Sequence, residues 1–531
     1  MEFSKNQNGI SNLSFLTFFT IILGIIIIMP IASILIETIN VKYFTFPSIF
    51  SNYLFETIKL VFYTCSISIL LAVIPAWIIT FYGIKHQNIF ELLLILPLSI
   101  PGYIMAFTYS DILGFNGYFD IFLKNYFNIK FNLDILSIEW LALFLALSLY
   151  PYIYLTTRIS FKLIGNTYID LATSLGLSQL KTFLKITLPL SVSAIFSGTL
   201  LVIMEVLNEY GAVNYFGIKT FSVGIFKYWF SMDDKSSAII FSFFLLSVVV
   251  ILVILSNYIK KTNNKIKYHI KTSPVSHRKI KKRKFHKILA YSIICIPIFF
   301  GLIIPLTFII NNVKLNFNEY DWGELLNVFT NSIYLALISS IIITSTAFLI
   351  LSVKRYSNSN TIKLVTNFLS TGYAIPGAVI GLSVMLILQH LSPDLNFLMG
   401  TITLLIYAYI FRFIAVAIFP IESSFLQQPM KFDELGKALN LSTIKIFTKI
   451  NLPLSKLAII SSFLLVFIDI FKELPLTLIL RPFNYDTLAT QAYQYANEEM
   501  LSYSSIYSIC IIIVCSIVII FSQTMLKTKK L

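Results

Sequence analysis

Charge is scarce in this chain. Asp, Glu, Lys and Arg make up 12% of its 531 residues, 57% are hydrophobic and the mean hydropathy is +0.82, a balance far too apolar for a soluble globular protein. Cysteine and histidine are scarcer still, at four and five. Cys65, Cys295, Cys510 and Cys515 fall within apolar runs with no paired metal spacing, and read as small core residues. His269, His277 and His286 stand among lysines, where they would repel a cation once protonated, so no static metal site is expected. The 19 glycines include no GxxxxGK[ST] phosphate loop. No ATP site is therefore expected in this chain, and no catalytic residue stands out.

What the chain has in abundance is long apolar runs. They lie at 14–37, 58–82, 91–112, 139–157, 187–210 and 237–259, then at 289–311, 331–353, 363–389, 399–420, 454–480 and 503–526. Each is close to the roughly 20 residues a helix needs to cross about 30 Å of hydrocarbon. The runs are continuous and do not alternate with a period of two, which excludes a β-barrel. The expected fold class is an all-α polytopic membrane protein of two homologous six-helix halves, 1–260 and 288–531, joined by a basic linker at 261–287.

Lys260 to Lys287 holds 12 of the 40 Lys and Arg residues and no acid, so the linker is expected in the cytoplasm. An even number of spans on each side places both termini inside, in agreement with Lys527, Lys529 and Lys530. Expected outer loops are neutral or acidic, as at Glu319, Asp321 and Glu324, or Glu498 and Glu499. The first apolar run lacks a basic leader and a small-residue cleavage site, and reads as a retained helix. The net charge of +15 sits at membrane-facing positions, which suits anionic lipid heads and argues against nucleic acid.

One signature occurs twice in register. The first copy reads Asp170-Leu171-Ala172, then Gly176, Ser178, Ile186, Leu188 and Pro189; the second reads Glu434-Leu435-Gly436, then Asn440, Ser442, Ile450, Leu452 and Pro453. Every pair keeps the same offset in numbering, 264, so two equivalent modules share one polypeptide. Locally the pattern predicts a short helix with an acid in its first turn, a stop at Gly176 or Asn440 in a left-handed conformation, and a second helix capped by Ser178 or Ser442. Pro189 and Pro453 are expected to open the fifth span of each half.

This signature resembles the EAA motif of binding-protein-dependent ABC importer permeases: Glu-Ala-Ala, three residues, Gly, nine residues, Ile, any residue, Leu-Pro. Ile186, Leu188, Pro189 and Ile450, Leu452, Pro453 match its tail, while Asp170, Leu171, Leu435, Gly436 and Asn440 depart from its head. The resemblance implies a type I importer permease fold with two copies of a cytoplasmic ABC ATPase docked on the two turns. That partner would use ATP and Mg, and this chain would bind no cofactor.

Acids within apolar spans are costly and mark functional candidates. Glu205 and Glu209 in the fifth span repeat as Asp469 and Glu473, at the same offset as the signature. A spacing of four puts each pair on one helix face, and four carboxylates near a common axis would suit a hard cation. Acids near helix ends can equally serve as gate or fold elements. Pro97, Pro101 and Gly102, and Pro376, Gly377 and Gly381, interrupt the third span of each half, as in discontinuous helices along translocation routes or ordinary packing kinks. The Ile-Pro-Gly triplets stand 275 apart, so the first half has extra residues, expected in its outer loop 113–138.

Two stretches, MEVLNEYGAVNYFGIKTFSVGIF from Met204 and VFIDIFKELPLTLILRPFNYDTLATQAY from Val466, resemble fused ferric-iron permeases of bacterial ABC systems. That resemblance implies alternating access in the inner membrane and a periplasmic or surface-tethered ferric-iron-binding protein. Thiamine, polyamine or another small solute is the alternative cargo. A secondary transporter driven by an ion gradient is the alternative class.

Overall fold

The computed structural model describes residues 3–41, 49–115, 117–128, 134–165, 167–267, 284–357, 359–391, 397–439 and 441–528. Asn440, most of the basic linker, Lys529 and Lys530 lie outside them. Among the described residues all regular structure is helical. Nothing else satisfies backbone N–H and C=O groups within a single apolar segment.

All twelve apolar runs are helical. Ten are long and apolar enough to span a bilayer: Thr17–Asn40, Phe50–Phe81, Ile138–Ile164, Gln179–Asn208, Lys235–Leu255, Ile288–Leu315, Trp322–Tyr356, Ile402–Gln427, Phe447–Phe471 and Leu501–Met525. The other two are the third spans, both broken where proline and glycine interrupt them. In the first half a helix over Gln87–Ile95 tightens into a 3₁₀ turn at Leu96–Ser99, passes through extended Ile100 and restarts at Gly102. In the second half Asn360–Leu369 is followed by a 3₁₀ turn at Gly372–Ala374, extended Ile375 and a restart at Gly377. The extra residues of the first half include a separate helix, Tyr118–Phe127.

Packing groups the chain into two compact units. One unit comprises Met1–Phe44, Asp321–Thr490 and Ile520–Leu531. Its centre is Trp322–Tyr356, Ile402–Gln427 and Phe447–Phe471, and the chain's first span packs on this group. Tyr407 Oη donates to the Ile26 carbonyl at 2.6 Å, and Ser33 Oγ to that of Ser383 at 3.0 Å. The other unit comprises Thr45–Tyr320 and Gln491–Ile519. Phe50–Phe81, Ile138–Ile164 and Gln179–Asn208 form its centre, and the seventh span packs here through Tyr109 Oη, 2.5 Å from the Phe300 carbonyl. In each unit the first span of the other half packs on spans that share one repeat. Cys65 and Cys515 are buried in this packing, Cys510 is half-buried, and Cys295 departs from the expected core role by lying exposed.

Candidate functional site

Thr167–Ser174 and Lys431–Ala438 form the first helices of the two signatures. Gly176 takes φ = +74°, a conformation only glycine adopts freely. The turn closes with two backbone bonds, Gly176 N–H to Thr173 at 3.0 Å and Leu177 N–H to Ala172 at 3.0 Å, the paired pattern of a Schellman stop. In the second copy Leu441 N–H donates to Gly436 at 3.0 Å, the counterpart of the Leu177 bond at the repeat offset. Ser178 Oγ accepts from Lys181 N–H at 3.4 Å and Ser442 Oγ from Lys445 N–H at 3.4 Å, so both serines cap as the sequence suggests.

Ala172 and Gly436 face inward. A Cβ on Gly436 would stand 2.9 Å from Ile446 Cγ1, which explains why the second copy carries glycine there. Asp170, Leu171, Glu434 and Leu435 face outward, and Leu175 and Leu439 are 80% and 75% exposed. Each signature thus presents an acid and two leucines on an open surface. Beneath the turns Phe183 packs on Trp77 at 5.2 Å and Phe447 on Phe348 at 4.9 Å between centroids.

Pro189 and Pro453 do not open their spans. Gln179–Asn208 is one continuous helix that widens into a π turn at Phe183–Thr187, with Leu188 N–H bonded to the Phe183 carbonyl. The second half repeats this at Phe447–Asn451, and the seventh span does so at Phe299–Ile303, two residues before Pro305. The wider turn accommodates a ring that lacks an N–H and would clash with the carbonyl four residues back. Each signature's second helix is therefore the foot of its fifth span.

The acids of the fifth spans divide into two kinds. The helix of the first half ends at Asn208 and that of the second at Phe471, so Glu209 and Glu473 lie beyond the helix and do not share a helical face with Glu205 and Asp469. Glu209 Oε1 accepts from Ala212 N–H at 3.1 Å, and Glu473 Oε1 from Leu476 N–H at 3.2 Å, again at the repeat offset. Each carboxylate caps the short helix that follows it, Gly211–Tyr215 or Pro475–Leu480. Each also sits at the restart of its broken third span, where a Cβ on Gly102 would be 2.8 Å from Glu209 Oε2 and one on Gly377 would be 2.8 Å from Glu473 Oε1. A helix N-terminus favours negative charge there.

Glu473 has a further partner that the sequence repeat does not announce. Arg412, in the middle of Ile402–Gln427, lies with Nε 3.4 Å from Glu473 Oε2 and donates from Nη1 to the Ile375 carbonyl at 3.1 Å. Both side chains are buried. The equivalent position in the first repeat is Ser148, whose hydroxyl donates to the Leu145 carbonyl.

The deeper acids remain half-buried. Tyr152 Oη donates to Glu205 Oε1 at 3.4 Å, and Asp469 Oδ1 pairs with Lys472 Nζ at 3.2 Å. Neither Lys472 nor Arg412 is among the candidates that the repeated acids mark. The basic residue three positions after Asp469 was the available signal for the first; nothing local pointed to the second.

A family model described as a binding-protein-dependent transport system inner membrane component matches residues 68–264 and 348–530. The chain is 24% identical over 445 residues to an Fe(3+)-transport system permease protein of Haemophilus influenzae, covering 82% of this chain and 83% of the relative. It is 29% identical over 140 residues to a sulfate transport system permease protein of Salmonella typhimurium, covering 26% and 48%. It is 27% identical over 145 residues to a molybdenum transport system permease protein of Haemophilus influenzae, covering 27% and 62%.

Proposed function

The chain belongs to the binding-protein-dependent inner membrane transport components, with two copies of the family's unit in one multi-pass polypeptide, and from that membership we infer that it is the fused permease of a ferric-iron ABC importer. It is a transporter component of the type I permease fold and not an enzyme. The observation that carries the coupling role is the repeated turn: a short helix of the same span, a backbone bond from Leu177 or Leu441 back onto it, a serine cap and an exposed acid and leucines occur once in each half, in register. Two such turns fit two copies of a separate ATPase, which binds ATP and Mg, while this chain holds neither.

The basic linker supports a cytoplasmic position for the turns and both termini. ATP closure of the partner subunits would move each turn, and because its second helix is continuous with a fifth span, the motion passes directly into the helix that carries Glu205 or Asp469. Those two acids contribute to the translocation path. Glu209 and Glu473, which cap the helices that follow them and pack against the third-span breaks, hold its shape. A periplasmic or surface-tethered ferric-iron-binding protein delivers the cargo on the outer side, and the cavity alternates between the two faces.

The iron assignment rests on the likeness of the Met204 and Val466 stretches to ferric permeases and on a relative aligned over most of both chains. An oxyanion is the second reading, favoured by Arg412 on Glu473 and Lys472 on Asp469, which offset two of the four acids. Uptake of radioactive iron into vesicles holding this chain, its ATPase and its binding protein decides between them. ATP-dependent iron uptake that resists excess thiamine, polyamine, sulfate and molybdate supports the assignment, and competition by any of these replaces it.

A further inference from the structure

The two signature helices repeat in backbone, yet they are tied to their spans by different chemistry. In the second half Asp433, directly before Glu434, is buried with Arg355. Its Oδ2 accepts from Arg355 Nε at 2.8 Å and Nη2 at 2.6 Å, and its Oδ1 from Tyr356 Oη at 3.1 Å. Arg355 also donates from Nη1 to the Phe425 carbonyl at 2.9 Å and from Nη2 to that of Gln428 at 3.4 Å, at the end of the fourth span. Tyr356 Oη in turn accepts from Asn451 Nδ2, in the π turn at the foot of the fifth span. One carboxylate thus links the signature helix to the second, fourth and fifth spans, all within one compact unit. Lys354 Nζ and Glu422 Oε1, 2.8 Å apart, add a second tie between the second and fourth spans.

None of these groups is repeated in the first half. At the repeat offset Asp433 corresponds to Ile169, and Asn451 to Thr187, whose hydroxyl donates to the Phe183 carbonyl of its own helix at 3.1 Å. At the wider offset of the Ile-Pro-Gly triplets Arg355 corresponds to Thr80, whose hydroxyl donates to the Ala76 carbonyl at 2.7 Å. Ile169 instead borders a cleft of about 370 Å³ with Trp77, Phe81, Tyr82 and Asp170. Arg158, on this fourth span, is paired with Glu91 of the third.

We propose that Asp433 is a positioning residue that makes the second signature helix move as one body with its spans, while the first, seated beside an open cleft, yields; the ATPase stroke therefore enters the membrane mainly through the second half. The physical ground is that a buried ion is strongly penalised once its partner withdraws, whereas apolar side chains over a cleft can shift with small losses. The inference rests on the reading of both helices as ATPase-docking elements.

Two measurements on the full chain test it. Hydrogen exchange on the purified protein requires no partner: amides of 431–438 should exchange about tenfold more slowly than those of 167–174, and Asp433→Asn should remove the difference. Equal exchange in the unmodified chain overturns the proposal. In vesicles with the ATPase and binding protein, the unmodified chain tests the functional reading itself. Asp433→Asn should lower solute moved per ATP about fivefold, while Thr80→Val leaves the ratio unchanged. The double variant Arg355→Met, Asp433→Leu strands no buried charge, so it should recover thermal stability but stay uncoupled. A normal ratio in Asp433→Asn or in the double variant overturns the proposal.

Discussion

The carboxylate of Glu473 occupies the space that any side chain at residue 377 would require, since a Cβ on Gly377 would stand 2.8 Å from Glu473 Oε1. Glu209 stands in the same relation to Gly102. The break in each third span is thus a close approach between an acid and a helix start, made possible by glycine.

Gly377→Ala should push Glu473 away from Arg412 and cost about 1–3 kcal/mol, the usual range for overpacking a tight site. Thermal unfolding of the detergent-purified protein measures it. An unchanged midpoint would show that the approach is loose.

Glu473→Ala should destabilise the protein by about 3–5 kcal/mol, because it leaves buried Arg412 without its carboxylate. Glu209→Ala should cost less, because Ser148 stands at the repeat position of that arginine. Equal losses in the two variants would remove Arg412 from the account.

Gly176→Pro should abolish the signature stop, since it removes the N–H donated to Thr173 and cannot adopt φ = +74°. Membrane insertion should be normal while uptake no longer follows ATP hydrolysis. Parallel assays of uptake, ATPase activity and membrane content check this, and full uptake would count against a coupling role. Asn440→Pro is expected to behave alike.

The combined change Glu205→Gln with Asp469→Asn should reduce iron uptake at least about tenfold, with little loss of stability because both side chains are half-buried. Uptake kinetics together with a melting curve separate the two effects. Normal uptake would reduce both residues to structural acids.

Two breaks, the stop at Gly176 and two serine caps are legible in the sequence because each depends on residues a few positions apart: proline and glycine at the breaks, a positive φ at Gly176, a hydroxyl before a first turn. The role of Pro189 is not legible, for an equally local reason. A proline after an amphipathic stretch looks like a helix start, and the π turn that admits it leaves no mark of its own.

The sequence by itself determined the helical class, the doubled module and the sites where acids enter the membrane, since hydropathy, repeat spacing and turn chemistry are properties of neighbours along the chain. Only the tertiary structure decided which of those acids are held by partners. Arg412 and Glu473 stand on different elements far apart in the chain, as do Arg355 and Asp433, and neither separation matches a helical or repeat period. Such pairings exist because a buried charge must find an opposite one wherever the fold brings it, and packing decides that meeting.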